Sequence, residues 1–557
     1  MKTTTKWLLL IIAITLFLRL PTLFEPHWFF DEGIYATVGS QWFEGAKLYK
    51  EIWDHKPPGI FVIYGLSYLA EKVSGIDIIF WAKLAAGLAV ASTQIALYKI
   101  SLLLFTNNIP KNINSSKPNN ALGQVSADKF ELPNTLIAPA LYGLLSSLPF
   151  WEGYMANAEI FMLAFSVWGI FKIQNSRPPR FARAKTGAAK LKIQNCLLGG
   201  ILVSLAILIK PVAIAEAFLG FLILLLRQAE NRGKLKTLLA YSAGLIGPII
   251  LACLYFLAQG TFPDFVQANL IHNLKYASNN SIPFEQELII NSIRLISILL
   301  VIYFVWKKRR NIPSNIVFPW LILSTIAATL SLRPYIHYLI QLFPPLCLLI
   351  TLSISKLGTV HNFVSLKEQF SLQLLTFNFA LLTILIPLNQ KLNLTNTIPY
   401  QFDQFSYYQN FLRYTFGYKT KTEYVNFFGH GVEKNLEIVK SVEKLTQGYL
   451  INELASLRGR SGLPNRQLFI WAGGEAPWLY YDLSKLGYQP SSRYANHYHA
   501  ESTLDGINET IMKLEKEPAT LVIIFPNTPE FEELKKLITE RYKMAEQIEG
   551  VRIYKAK

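Results

Sequence analysis

An acidic pair, Asp31-Glu32, stands just beyond the first apolar segment of the chain, and a second polar run, Trp53-Asp54-His55-Lys56-Pro57-Pro58-Gly59, follows in the same loop. Charged groups at the mouth of a membrane helix are costly to hold near lipid, so they persist where they face a cavity and handle a polar substrate. Asp31 is a candidate general base. Neighbouring residues of a regular element point apart, so Glu32 has a different task, orienting loop partners. Pro57-Pro58 suit the first turn of a helix, which places Lys56 just before a helix N-terminus, where unpaired amides and the positive dipole end favour a phosphate. The plainer reading has both acids capping a helix over Gly33 to Val38 and Lys56 reaching to lipid headgroups.

Other polar groups fall in comparable places. Glu159 follows Ala156-Asn157-Ala158 and either orders an acceptor or pairs with Lys210 to lock two helices. Arg333 and His337 are four apart, hence on one helix face, and both can reach a donor phosphate. Tyr335 and Tyr338 beside them, with Asp54, His55 and Lys210, complete the candidates for one cavity. Asp54-His55-Lys56 has no second ligand cluster at metal-site spacing in the sequence, so neither a metal nor a cofactor is expected.

The elements that must position these groups are membrane helices. With 557 residues, 51% of them hydrophobic and 16% charged, and a mean hydropathy of +0.27, the chain reads as polytopic. The formal net charge of +17 does not indicate nucleic acid, because the basic residues gather in short loops between apolar runs and form no basic, aromatic surface. Cys196, Cys253 and Cys347 all lie in apolar runs, which excludes a disulfide framework and a cysteine-based zinc site.

About eleven stretches approach the roughly 20 residues that cross a hydrocarbon layer as a helix. They run from Trp7 to Phe24, Ile78 to Phe105, Leu132 to Phe150, Met155 to Ile173, Asn195 to Ile209 and Val212 to Leu226. The remainder run from Leu238 to Ala258, Leu288 to Trp306, Ile316 to Leu332, Ile336 to Ile354 and Leu372 to Leu388. Lys210-Pro211 divides the fifth from the sixth, since proline removes a backbone donor and disfavours helix before it. With the N-terminus cytoplasmic and the first span uncleaved, the basic loops at 177–192, 227–236 and 307–310 fall inside. The same parity predicts Asp31, Glu32, Lys56, Glu159, Lys210, Arg333 and His337 on the extracytoplasmic side. In the first outer loop, residues 25–77, the spacing of Ile34, Val38 and Trp42 predicts an interfacial helix with its aromatic face in lipid.

After residue 390 the composition becomes that of a soluble α/β domain, predicted extracytoplasmic. Arg466 to Trp471 and Thr520 to Phe525 read as buried strands, Glu530 to Tyr542 as a helix and Val551 to Tyr554 as a closing strand. Gly473-Gly474 reads as a turn, because a dinucleotide site requires a third glycine and an acid. Trp471, Trp478, Tyr480 and Tyr481 are candidates for stacking on sugars.

The acidic pair, the Trp53 to Gly59 run, Ala156-Asn157-Ala158-Glu159 and Arg333-Pro334-Tyr335-Ile336-His337-Tyr338 with Pro344-Pro345, in that order, resemble the GT-C glycosyltransferases that use lipid-phosphate sugars. The closest group is glycosyltransferase family 39 with its protein O-mannosyltransferase and aminoarabinose transferase relatives. The resemblance implies a GT-C membrane domain over residues 1–390 and a C-terminal domain over 391–557. It also implies inverting transfer from a polyprenyl-phosphate sugar, with Asp31 as base and Lys56 on the donor phosphate. The β-trefoil insertion of the eukaryotic mannosyltransferases has no counterpart here. The acceptor is therefore open among lipid, glycan and protein hydroxyls, and a bacterial plasma membrane is the expected location. A polymerase or ligase of lipid-linked glycans shares this site logic. A transporter or flippase is the rival from another class, but its ionisable groups belong at the midplane and its helices form internal repeats.

Overall fold

The computed structural model describes residues 3–106, 134–176, 186–225, 231–278, 316–330, 335–357, 404–456 and 466–557 apart from 504 and 530, with the single positions 292, 295 and 299. The spans predicted from Leu288 to Trp306 and from Leu372 to Leu388 lie outside the described residues, as does Arg333.

In chain order the longer helices are α1 (Thr3–Leu18), α2 (Phe30–Phe43), α3 (Pro58–Ser74), α4 (Ile78–Thr106), α5 (Ile137–Leu145), α6 (Ala158–Gln174), α7 (Thr186–Ile209) and α8 (Ile214–Leu225). They continue as α9 (Asn231–Ala258), α10 (Val317–Thr329), α11 (Phe343–Leu357), α12 (Gln404–Thr415), α13 (His430–Ser456), α14 (Ala476–Ser484), α15 (Gly506–Lys516) and α16 (Glu532–Arg541). Among the described residues, five helical segments are long and apolar enough to cross a membrane: Thr3–Phe24, Ile78–Phe105, Leu191–Ile209, Lys234–Ala258 and Ile336–Ile354. Pro211–Leu225 and Val317–Thr329 are shorter apolar helices. The chain is a multi-pass α-helical membrane protein with a small sheet domain at its C-terminal end.

Two compact units emerge. The first comprises Met1–Leu20, Ala85–Ala252 and Tyr276–Gln404, the second Pro21–Leu84, Cys253–Lys275 and Phe405–Lys557. Residue 390, where composition divides the chain, lies outside the described residues, and the unit containing the C-terminal domain also takes in the first loop.

In the first unit, Arg19 ends α1 by donating to three carbonyls, those of Ser146, Gly153 and Tyr154, at 2.6, 2.7 and 2.9 Å. A guanidinium so used satisfies backbone groups that no water reaches. Helices α6 and α7 pack at glycines: a Cβ on Gly169 would lie 2.7 Å from Val203 Cγ2 and 3.0 Å from the Gly199 carbonyl. Small residues at such a crossing let apolar helices approach without a hydrophobic drive. The chain breaks at Lys210, which is extended at φ −148°, before a short 3₁₀ turn over Pro211–Ala213 leads into α8. This is the division predicted from Lys210-Pro211.

In the second unit, α2 does not lie with an apolar face in lipid as the spacing predicts. Ile34 and Val38 are buried, α2 packs on α3 and α14, and a Cβ on Gly39 would stand 3.0 Å from the Gly65 amide. The C-terminal sheet has the order β2-β1-β3-β5-β4. Its strands are β1 (Arg466–Trp471), β2 (Tyr488–Pro490), β3 (Leu521–Ile524), β4 (Tyr542–Ile548) and β5 (Val551–Ala556). The first three are mutually parallel, and β5 pairs antiparallel with both β3 and β4. Every residue of β3 is buried, as expected of a central strand covered on both faces.

Candidate functional site

The second unit gathers Asp31, Glu32, Asp54, His55 and Lys56. Helix α2 carries both acids in its first turn, and α3 begins two residues after Lys56, with Pro58 at its first position. Lys56 Nζ stands 3.6 Å from Asp31 Oδ1, and the two side chains retain 16 and 20% exposure. Tyr35, one turn along α2, donates to Asp31 Oδ2 at 3.2 Å, and its ring lies 4.8 Å from the Lys56 ammonium. The Lys56 backbone is fixed as well: its amide donates to Asp54 Oδ1 at 2.7 Å, and its carbonyl accepts from Tyr49 at 2.9 Å. A carboxylate and an ammonium are thus held close, both reachable by solvent, before a helix N-terminus that favours anions.

Glu32 points the other way and is buried. Lys83 Nζ lies 2.8 Å from Glu32 Oε1 and 3.1 Å from Glu25 Oε2, with all three side chains at 0 or 1% exposure. Neither Glu25 nor Lys83 was among the candidates expected from the sequence. The available signal was a lysine five residues into the apolar run that starts at Ile78.

The C-terminal domain brings His499 to Asp54, with Nε2 3.6 Å from Oδ2. One ligand atom from each of Asp54, His55 and His499 lies within 4.8 Å of the others, and Asp54 Oδ2 is buried without a hydrogen bond. Burial pushes the Asp54 carboxyl up, but His55, Lys56 and His499 and the Lys56 amide outweigh it and bring it to about 2. Burial lowers His55 to about 3 and His499 to about 4. A carboxylate beside two neutral imidazoles is a donor set that fits a divalent cation such as zinc, which would tie the loop to the C-terminal domain. The expectation of no metal rested on the lack of a second ligand cluster in sequence, and the fold supplies His499 from the far end of the chain.

Four aromatic residues proposed to stack on sugars are buried instead. Trp478 donates to the Phe29 carbonyl at 2.8 Å and stacks on His27 at 4.0 Å between ring centroids. Tyr480 holds the Ile470 amide at 2.7 Å, Tyr481 bonds Glu71, and Trp471 packs edge-on against Phe531. Gly473-Gly474 is a turn. His27 itself lies 2.9 Å from Asp77 and 3.0 Å from Asp482. Burial lowers its pKa, yet the two aspartates outweigh burial and raise it to about 10.

The first unit gathers Glu159, Lys210, His337 and Tyr338. Lys210 bonds Glu159 in the first turn of α6 and stands 4.2 Å from the centre of the Tyr338 ring. His337 Nδ1 is 2.6 Å from Glu152 and Nε2 is 3.7 Å from Glu159. The Tyr335 ring stacks on His337 at 5.5 Å. Glu152 escaped the sequence reading; its backbone is left-handed at φ 56°, which no residue pattern announces.

These helices and the terminal sheet domain together form a GT-C fold. Among solved structures, the chain is similar to ArnT from Cupriavidus metallidurans bound to undecaprenyl phosphate, with 14% identity and a TM-score of 0.56 over 99% of this chain and 98% of that one. Apo ArnT from the same organism is similar with 13% identity and a TM-score of 0.52 over the same shares. No protein-family model and no curated protein sequence matches the chain.

Proposed function

We propose that the protein is an inverting glycosyltransferase that moves a sugar from a polyprenyl-phosphate donor to an acceptor hydroxyl on the extracytoplasmic face of the membrane. The observation that carries this reading is the Asp31–Lys56 pair at 3.6 Å before the N-terminus of α3. The shared fold with ArnT, whose structure holds undecaprenyl phosphate, supports the donor class.

In this reaction the donor phosphate takes the place beside Lys56, whose ammonium and the first amides of α3 stabilise the charge that grows on the leaving phosphate. The acceptor oxygen attacks the anomeric carbon from the opposite face, the carbon–oxygen bond to the phosphate breaks, and the acceptor proton passes to Asp31. Tyr35, which donates to Asp31 Oδ2, holds the carboxylate in place for that transfer. No metal is required by this proton and charge balance. The sugar and the acceptor follow from comparing envelope glycans, by mass spectrometry, between cells with and without the protein. Unchanged glycans together with substrate flux across protein-containing vesicles would replace the transferase reading with a transporter.

A further inference from the structure

We propose that Lys83 is a positioning residue for the transfer reaction: by bridging Glu32 and Glu25 in the interior, it fixes the rotation of α2 and so aims Asp31 at Lys56. The inference rests on Asp31 being the base, as proposed above.

Helix α2 starts at Phe30 without a side-chain cap, so its first turn, which carries Asp31, must be held by other means. One is the Trp478 bond to the Phe29 carbonyl. The other is Glu32. Consecutive helical residues project about 100° apart, so holding Glu32 in the interior leaves Asp31 only one direction to point. Lys83 holds Glu32 at 2.8 Å and reaches Glu25 at 3.1 Å. Glu25 is secured in turn by Trp28 Nε1 at 3.1 Å and by the hydroxyl of Tyr407 in α12. The loop before α2, the first turn of α2 and the start of α4 thus meet at one ammonium, and α12 joins them through Glu25.

Stability alone does not explain such a cluster. Removing charges from water costs several kcal/mol per ion, and apolar replacements of a buried ion group are often as stable or more so. What the charges add is direction, because an ion pair with hydrogen-bond geometry fixes an angle that packed methyl groups do not. A base displaced by about 1 Å can lose about 100-fold in rate, so a fixed angle at Glu32 has catalytic weight.

The test compares the full-length protein in detergent with the variant Glu25→Gln/Glu32→Gln/Lys83→Met, which removes all three charges together, and with Lys83→Arg and Asp31→Asn. Three quantities are measured: the melting midpoint, the affinity for undecaprenyl phosphate, and release of undecaprenyl phosphate from a panel of its sugar conjugates in the presence of a membrane lipid extract. The expected result for the neutral variant is unchanged melting and lipid affinity with turnover down by about 10- to 100-fold. Lys83→Arg, which keeps the charge, recovers part of that loss. Wild-type turnover in the neutral variant overturns the proposal. So does a parallel loss of melting, affinity and turnover, which marks Lys83 as merely structural. If Asp31→Asn is fully active, the base assignment fails first; if it is inactive while the neutral variant is normal, only the positioning role fails.

Discussion

The two polar clusters are built from the same residue types and differ in how far their charges are already spent on each other. In the first unit, Lys210 bonds Glu159, and His337 lies between Glu152 and Glu159, with each of these side chains no more than 13% exposed. In the second unit, Lys56 and Asp31 stand 3.6 Å apart and remain partly open to solvent. A tight pair resists insertion of a ligand, whereas a loose, accessible pair can be parted by a phosphate that takes the lysine and a hydroxyl that takes the carboxylate. Under the proposed function, the second cluster carries the chemistry and the first anchors helices.

The sharpest way to break the comparison is Asp31→Asn. Turnover falls on the order of 10²- to 10⁴-fold while undecaprenyl phosphate still binds, as measured by product release and lipid affinity. Next is Lys210→Met, which strands Glu159 and costs about 3–5 kcal/mol of stability, read as a lower melting midpoint. Adding Glu159→Gln restores most of that loss if the pair only anchors helices. Lys56→Ala has the opposite signature, with melting nearly unchanged and undecaprenyl phosphate affinity down by about 10- to 100-fold, the size of a lost charge-assisted hydrogen bond. Equal behaviour of Lys56→Ala and Lys210→Met would erase the distinction between the clusters.

Two smaller effects sharpen it. Zinc added to metal-stripped protein raises the melting midpoint by mass action, and His499→Ala abolishes the rise; absence of any zinc-dependent shift in the wild type removes the Asp54-His55-His499 donor set from consideration. His27 gives the mildest effect. Its pKa rises from 6.5 to about 10 on folding, so its contribution is complete below pH 6.5, declines as pH rises above that value and is exhausted once pH exceeds about 10. The melting midpoint followed from pH 7 to 10.5 should show this decline, and His27→Gln should flatten it.

Local signals carried well from sequence to structure. Pro57-Pro58 marked the start of α3, Lys210-Pro211 marked the break before α8, and the apolar run from Arg466 to Trp471 is β1. Periodicity could not say what covers a helix: the spacing of Ile34 and Val38 is the same whether lipid or another helix buries them, and here α3 and α14 do. Side-chain partners distant in sequence were illegible for a different reason. Lys83 with Glu25, and His499 with Asp54, meet only after the chain has closed, and neither spacing resembles a local motif. Tyr480 and Tyr481 were readable as aromatic but not as buried, because α14 turns one face to the core with Leu479 and Leu483 and another to Glu71.

The contact between Gly33 and Trp478 bears on how this protein can be recombined. A methyl group at position 33 would lie 2.8 Å from Trp478 Cδ1, so the indole occupies the space that a side chain would need. A chimera that exchanges the C-terminal domain alone would set a foreign surface against a helix shaped for this indole.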